Sequence, residues 1–209
     1  MSPRDGVLDV LLTRAQQGDR EAIDRLLGGQ RARLRRMIAV HLDARLAPRV
    51  DASDVVQETL MEASRRLPEY LEQRPLPFHL WLRQLAWQRL VDLYRHHVRT
   101  RRRSLNLEKP DFLPLTDHSA DSLADCLIAS GTTPSGRLQE AEERERVRAA
   151  LCRLAPADRE VLVLRYLEQL STAEVSLILG ISEAGVRHRH RCALERVARL
   201  LRDSVSDQH

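Results

Sequence analysis

Ser171-Thr-Ala-Glu-Val-Ser-Leu-Ile-Leu-Gly180-Ile-Ser182-Glu-Ala-Gly-Val-Arg187-His-Arg-His-Arg191 decides how this chain is read. Ser171 and Glu174 have the spacing of a capping box, which opens a helix by satisfying two of its orphan N–H groups. Gly180 permits the positive φ of a tight turn, and Ser182 can cap the helix that follows. Ser176 is small enough for two helices to approach. Val175, Leu179, Ile181 and Val186 fall where those helices would be pinned together. The spacing predicts a helix-turn-helix. Its second helix offers Arg187, His188, Arg189 and Arg191 in the first turns, where a recognition helix meets base edges and phosphates. DNA is therefore the expected partner.

Charge runs in blocks outward from this motif. Residues 1–103 carry 20 Arg against 13 acids, a net +7; residues 104–143 carry two basic residues against eight acids, −6; residues 144–209 carry 12 Arg against nine acids, +3. Two basic blocks flanking an acidic middle suggest two polyanion-binding modules and a linker that the polyanion repels. The 209 residues, 43% hydrophobic, suffice for one domain or two small ones. Seven aromatics and few β-branched runs argue for helices over sheet. No apolar run reaches membrane-spanning length and the N-terminus lacks a signal-peptide core, so a cytoplasmic location is expected. Cys126, Cys152 and Cys192 are odd in number and widely spaced, as reduced thiols are.

The remaining periodicity predicts an all-α chain. Helices are expected over 7–17, 20–27, 31–46, 54–67 and 78–103, with Gly18, Gly28-Gly29, Pro48 and Pro68 as stops and Asp19 and Asp51 or Ser53 as caps. Residues 68–77 read as a loop. Residues 104–136 hold Pro110, Pro114, Pro134, Gly131 and Gly136 among many Ser, Thr and Asp, and read as a flexible linker with room for one short helix over 121–129. Helical periodicity resumes at Arg137, and Pro156 opens the helix before the motif. The expected organisation is a helical domain over 1–103, an acidic linker over 104–136, and a helical DNA-binding domain over 137–209.

Two constellations in the first block could carry function. Asp54, Glu58 and Glu62 stack at i, i+4 and i+8 with Gln57 beside them, an acidic stripe in a basic domain that would suit a basic protein partner. A solvated helix face has the same appearance. Tyr70, Phe78, Trp81, Trp87 and Tyr94 are interleaved with Arg74, Arg83, Arg89, Arg95 and Arg99, a composition suited to unpaired bases and their backbone. Trp81, with Leu82 and Leu85, also suits a core, and loop-borne Tyr70 is the better exposed candidate.

Asp54-Val-Val-Gln57-Glu58, Phe78-His-Leu-Trp81-Leu82, Leu85-Ala86 and Asp92 resemble region 2 of the extracytoplasmic-function (ECF) sigma factors of bacterial RNA polymerase, and Leu154–Arg202 resembles their region 4. The resemblance implies a two-domain initiation factor. Asp54, Gln57, Glu58 and Glu62 would face the β′ clamp helices of core polymerase. Tyr70, Arg74, Phe78, Arg89 and Arg95 would hold the melted −10 strand. Ser182, Glu183, Arg187, His188, Arg189 and Arg191 would serve the −35 duplex. It implies core polymerase (β′ and β subunits) and promoter DNA as partners, with an anti-sigma factor as a further candidate. Gln88 stands where the family often has Asn, and Cys192 where it frequently has Arg. Region 4 also resembles the LuxR-type DNA-binding domain, so a LuxR-like activator with an unrelated helical N-terminal domain is the alternative.

No phosphate loop, nucleophile elbow or carboxylate pair appears, so no enzyme and no cofactor is expected. His188, His190 and Cys192 lie at i, i+2 and i+4, and all three cannot converge on one ion. No metal site is expected. His190 keeps phase with Val186, Ala193 and Val197, as a half-buried packing residue would.

Overall fold

The computed structural model of the chain describes residues 3–42, 50–99, 116–129 and 140–206. These are helical, with no strand among the described residues. The chain divides into two compact units, Met1–Asn106 and Leu107–His209.

Unit 1 holds α1 (Pro3–Gln16), α2 (Arg20–Gly28), α3 (Arg31–His41), α4 (Ala52–Gln73) and α5 (Phe78–Arg99). Gly18 takes φ +83 between α1 and α2. Asp19 caps α2 by accepting from the Ala22 N–H, and Arg14 donates to its carboxylate at 2.8 Å. Asp51 is the cap of α4, accepting from the Ser53 N–H at 2.7 Å. α3 packs on α4 and α5, which lie against each other, and Leu26, Ile38, Val55, Leu67, Leu82 and Leu90 fill the interior. The last stretch predicted for the third helix, with Pro48 as its stop, lies outside the described residues, as do residues 100–103 of the fifth.

Pro68 does not end α4. The helix runs through it to Gln73 and closes on Arg74, whose left-handed backbone (φ 40) lets its N–H reach the Tyr70 carbonyl at 2.7 Å. A proline inside a helix forfeits one backbone bond and costs about 3 kcal/mol. Here the ring is exposed, while Leu67, Tyr70 and Leu71 continue the apolar face of α4 into the core. Burying two large side chains past the proline, at roughly 1.5–3 kcal/mol each, offsets that cost. The predicted loop over 68–77 therefore shrinks to the short connection 74–77.

Unit 2 holds α6 (Asp117–Ala129), α7 (Glu140–Arg153), α8 (Pro156–Leu162) continued by a π-helical turn (Val163–Leu167), α9 (Thr172–Leu179) and α10 (Glu183–Ser206). The short helix expected over 121–129 forms, beginning earlier, at Asp117, and is packed into unit 2; the rest of the expected linker, but for Thr116, lies outside the described residues. Thr116 caps α6, accepting from the Ser119 N–H at 3.0 Å, and Ala120, Leu123, Ala124 and Leu127 are buried against α7 and the π turn. Asp117, Asp121 and Asp125 line its outer side, where Arg144 and Arg148 of α7 pair with them. The acidity of this segment thus serves partly to hold two helices together. Val161, Leu162, Val163 and Leu164 are all buried, so the end of α8 is apolar all round and forms the axis of the unit.

Candidate nucleic-acid interface

The helix-turn-helix forms as its local chemistry dictates. The Glu174 N–H donates to Ser171 Oγ at 3.2 Å, and the Ser171 N–H donates to Glu174 Oε2 at 2.6 Å, completing the capping box. Gly180 closes α9 with φ +63, its N–H bonded to the Ser176 carbonyl. Ser182 Oγ accepts from the Gly185 N–H at 3.1 Å at the start of α10. Val175 and Val186 are fully buried at the crossing, and Leu179 and Ile181 are half-buried around it.

α10 presents Ser182, Glu183, Arg187, His188 and Arg191 to solvent, with Arg189 half-buried. Glu183 pairs with Arg187 at 3.3 Å and Glu195 with Arg191 at 3.7 Å. Arg191 also donates to His188 Nδ1 at 3.3 Å, and Cys192 Sγ lies 3.6 Å from His188 Nε2. Val186, Ala193 and Val197 form the buried side, and Arg196 pairs with the buried Asp158 of α8, anchoring the helix lower down. His190 is half-buried, its ring stacked on Tyr166 with centroids 5.7 Å apart. Burial, and then the nearby Arg165 guanidinium, hold its pKa below the usual imidazole value. The half-buried packing role expected for His190 is the one found.

In unit 1 the acidic stripe is on the surface: Asp54, Gln57, Glu58 and Glu62 are exposed while Val55, Val56, Thr59, Leu60 and Ala63 are buried. Glu58 pairs with Arg89 of α5, and Glu62 approaches Arg65 at 3.7 Å. Glu58, Glu62, Arg65, Gln88 and Arg89 border a groove of about 410 Å³ between the two helices, with Met61 beside it 51% exposed.

Two expected strand-binding residues are not on the surface. Tyr70 is 4% exposed, stacked on Trp81 at 4.4 Å, with its hydroxyl donating to the Leu76 carbonyl at 3.0 Å. Burial pushes its phenol pKa up. Phe78 is 1% exposed against the same two rings. The predicted loop makes Tyr70 an exposed candidate, and the resemblance puts Phe78, first residue of the predicted fifth helix, at the −10 strand; the extension of α4 instead carries Tyr70 into the core, against Phe78 and Trp81 of α5. Arg74 and Arg89 remain exposed and Arg95 is half-buried. The ion pair of Glu58 with Arg89 and the Tyr166–His190 stack are contacts that sequence spacing did not suggest.

The family described as sigma-70 region 2 matches residues 30–100, and that described as sigma-70, region 4 matches residues 144–197. RNA polymerase sigma factor CnrH of Cupriavidus metallidurans is 29% identical over 208 residues, covering 96% of this chain and 97% of that protein. ECF RNA polymerase sigma factor SigW of Bacillus subtilis is 24% identical over 156 residues, covering 73% of this chain and 76% of that protein. The solved structure of CnrH in complex with the cytosolic domain of CnrY shares the fold, with TM-score 0.51 and 23% identity over 94% of this chain and 98% of that one. A region 2 match in the N-terminal half disfavours the LuxR-like alternative. The chain belongs to the sigma-70 family and is an RNA polymerase sigma factor of the ECF type, whose partners are core polymerase and promoter DNA.

Proposed function

We propose that the two units divide promoter recognition as regions 2 and 4. Unit 1 docks on the β′ clamp helices through Asp54, Gln57, Glu58 and Glu62, and holds the melted −10 strand with Arg74, Arg89 and Arg95. Unit 2 reads the −35 duplex through the start of α10, with Ser182, Glu183, Arg187, His188, Arg189 and Arg191 as its contact residues. The observation that carries this is the exposed Arg187–His188–Arg191 face on a capped recognition helix whose opposite face is buried. Arg is the commonest reader of guanine, through paired hydrogen bonds to O6 and N7.

The polypeptide supplies recognition and strand capture, and the chemistry belongs to the polymerase; the chain itself carries no catalysis. Working with core polymerase places it in the cytoplasm, and among the described residues no helix is long and apolar enough to cross a membrane. The related CnrH is solved with the cytosolic domain of another protein, and an anti-sigma partner of this chain is proposed on that parallel. The domain boundaries follow the two units, with α6 assigned to the DNA-binding one.

Selection from a randomised −35 pool by holoenzyme tests the recognition face. Arg187→Ala or Arg191→Ala should each cost about 1–3 kcal/mol at one base position and relax its preference. Arg202→Ala, beyond the reading turns, should leave the consensus intact. An unchanged consensus for both inner variants would refute the assignment.

A further inference from the structure

Among the described residues of unit 2, Val163–Leu167 is a π-helical turn, and it continues α8, which packs on the recognition helix. The Glu168 N–H reaches back to the Val163 carbonyl at 3.1 Å, five residues away, and the Leu170 N–H to the Leu164 carbonyl at 3.0 Å. One residue inserted into a helix turns every later side chain by about 100° about the axis. Val161–Leu164 are buried on all sides and hold the axis still. The insertion therefore goes into re-aiming the residues that follow, Arg165 and Tyr166. Arg165 donates to the Leu170 carbonyl and fixes the loop, which Gln169 closes with φ +59. Tyr166 is directed at α10, where its ring stacks on His190 at an interplanar angle of 25°.

The stack matters because of what else holds α10. Its inward stripe is buried at Val186, Ala193 and Val197, with His190 half-buried among them. Val and Ala are short, and they set how closely α10 approaches more firmly than they set its rotation. Among the half-buried long side chains of that side, His190 lies nearest the reading end, between Arg189 and Arg191 and one turn from Arg187. A second side-chain anchor, Arg196 on Asp158, lies more than a turn further from the reading end. α6 packs against the π turn that carries Tyr166.

We propose that Tyr166 and His190 are a positioning pair that fixes the rotation of α10, and through it which bases Arg187, His188 and Arg191 reach. The proposal rests on the −35 role given to those residues, and concerns residues that touch no DNA themselves.

The test uses the full chain bound to core polymerase and two duplexes, one with a −35 element selected by the wild-type holoenzyme and one with that element scrambled. The readout is the ratio of the two affinities. Tyr166→Ala and His190→Ala should each lower the ratio about three- to tenfold, the size of one lost aromatic pair. The affinity for the scrambled duplex should hold. The double variant should fall no further than either single one, and Tyr166→Phe, which keeps the ring, should restore the wild-type ratio. A purely structural role would weaken both duplexes together and leave the ratio unchanged. That result, or losses that add in the double variant, would overturn the proposal. Should Tyr166→Ala fail to fold, His190→Ala against Tyr166→Phe decides alone. Arg187→Ala run alongside separates the two levels: if it leaves the ratio unchanged, the −35 assignment has failed; if it lowers the ratio and His190→Ala does not, the positioning pair has failed.

Discussion

Arg89 of α5 forms an ion pair with Glu58 of α4 across the groove between the two helices. The acid belongs to the proposed polymerase face and the base to the proposed DNA face. Both side chains are about half exposed, 50% and 43%, so the pair is worth about 0–1 kcal/mol and is readily exchanged for a better partner.

Docking should therefore depend on charge and scarcely on stability. Asp54→Arg combined with Glu58→Arg reverses the stripe and should abolish co-purification with core polymerase. Both sites are exposed, so far-UV circular dichroism and the melting temperature should change little. Wild-type recovery of the double variant with core polymerase would rule out this face.

Tyr70 and Arg74, four residues apart, should fail in different ways. Tyr70→Ala removes a ring stacked on Trp81 and packed against Phe78, and should cost about 3–5 kcal/mol of unfolding free energy. Arg74→Ala alters an exposed side chain whose hydrogen bond to Gln16 is long, 3.4 Å. It should leave stability almost unchanged and slow open-complex formation, less so on a template already melted at −10. Urea unfolding of both variants, with open-complex kinetics for Arg74→Ala, separates the two. A fully stable Tyr70→Ala would contradict the packing described.

α6 offers a third check. Leu127→Ala empties a fully buried position between α6 and its neighbours, and should cost about 2–5 kcal/mol. A solvated linker would tolerate the change within about 0.5 kcal/mol. Denaturant unfolding distinguishes the two outcomes.

What could be read in the sequence was whatever local chemistry fixes. The capping box at Ser171, the turn at Gly180 and the cap at Asp19 depend on neighbours a few residues away, and each is found as expected. The exposed stripe of α4 follows from the spacing of its apolar residues. Misses came where a distant element overrides a local signal. Pro68 reads as a stop, yet Leu67, Tyr70 and Leu71 keep the helical period beyond it, and Trp81 of α5 supplies the surface they bury. The short helix over 121–129 was legible, but its start at Asp117 and the burial of Ala120, Leu123, Ala124 and Leu127 were not, inside a stretch dominated by Ser, Asp and flanking prolines. The Tyr166–His190 stack depends on a π turn, for which the sequence has no marker.

pH dependence should expose His190. Its folded pKa lies below the usual imidazole value, through burial and then Arg165. The unfolded chain therefore takes up this proton first. Stability is unaffected well above the usual imidazole pKa, falls as pH drops through the unfolded value, and the loss levels off below the folded one. Asp19 and Asp51, with pKa values lowered by hydrogen bonds to their cap N–H groups, lose their contribution only in the more acidic carboxylate range. Melting temperatures at pH 7.5 and 5.5 should differ less for His190→Gln than for the wild type. An equal difference for both proteins would contradict the burial of this ring.

The most direct test of the account is run-off transcription with purified core polymerase and this chain on fragments of the source genome. The account predicts transcripts that appear only when the chain is added, from start sites that share sequence near −35 and −10. It also predicts that the Asp54→Arg, Glu58→Arg chain yields none. Transcription no different from core polymerase alone, across fragments covering the genome, would contradict it.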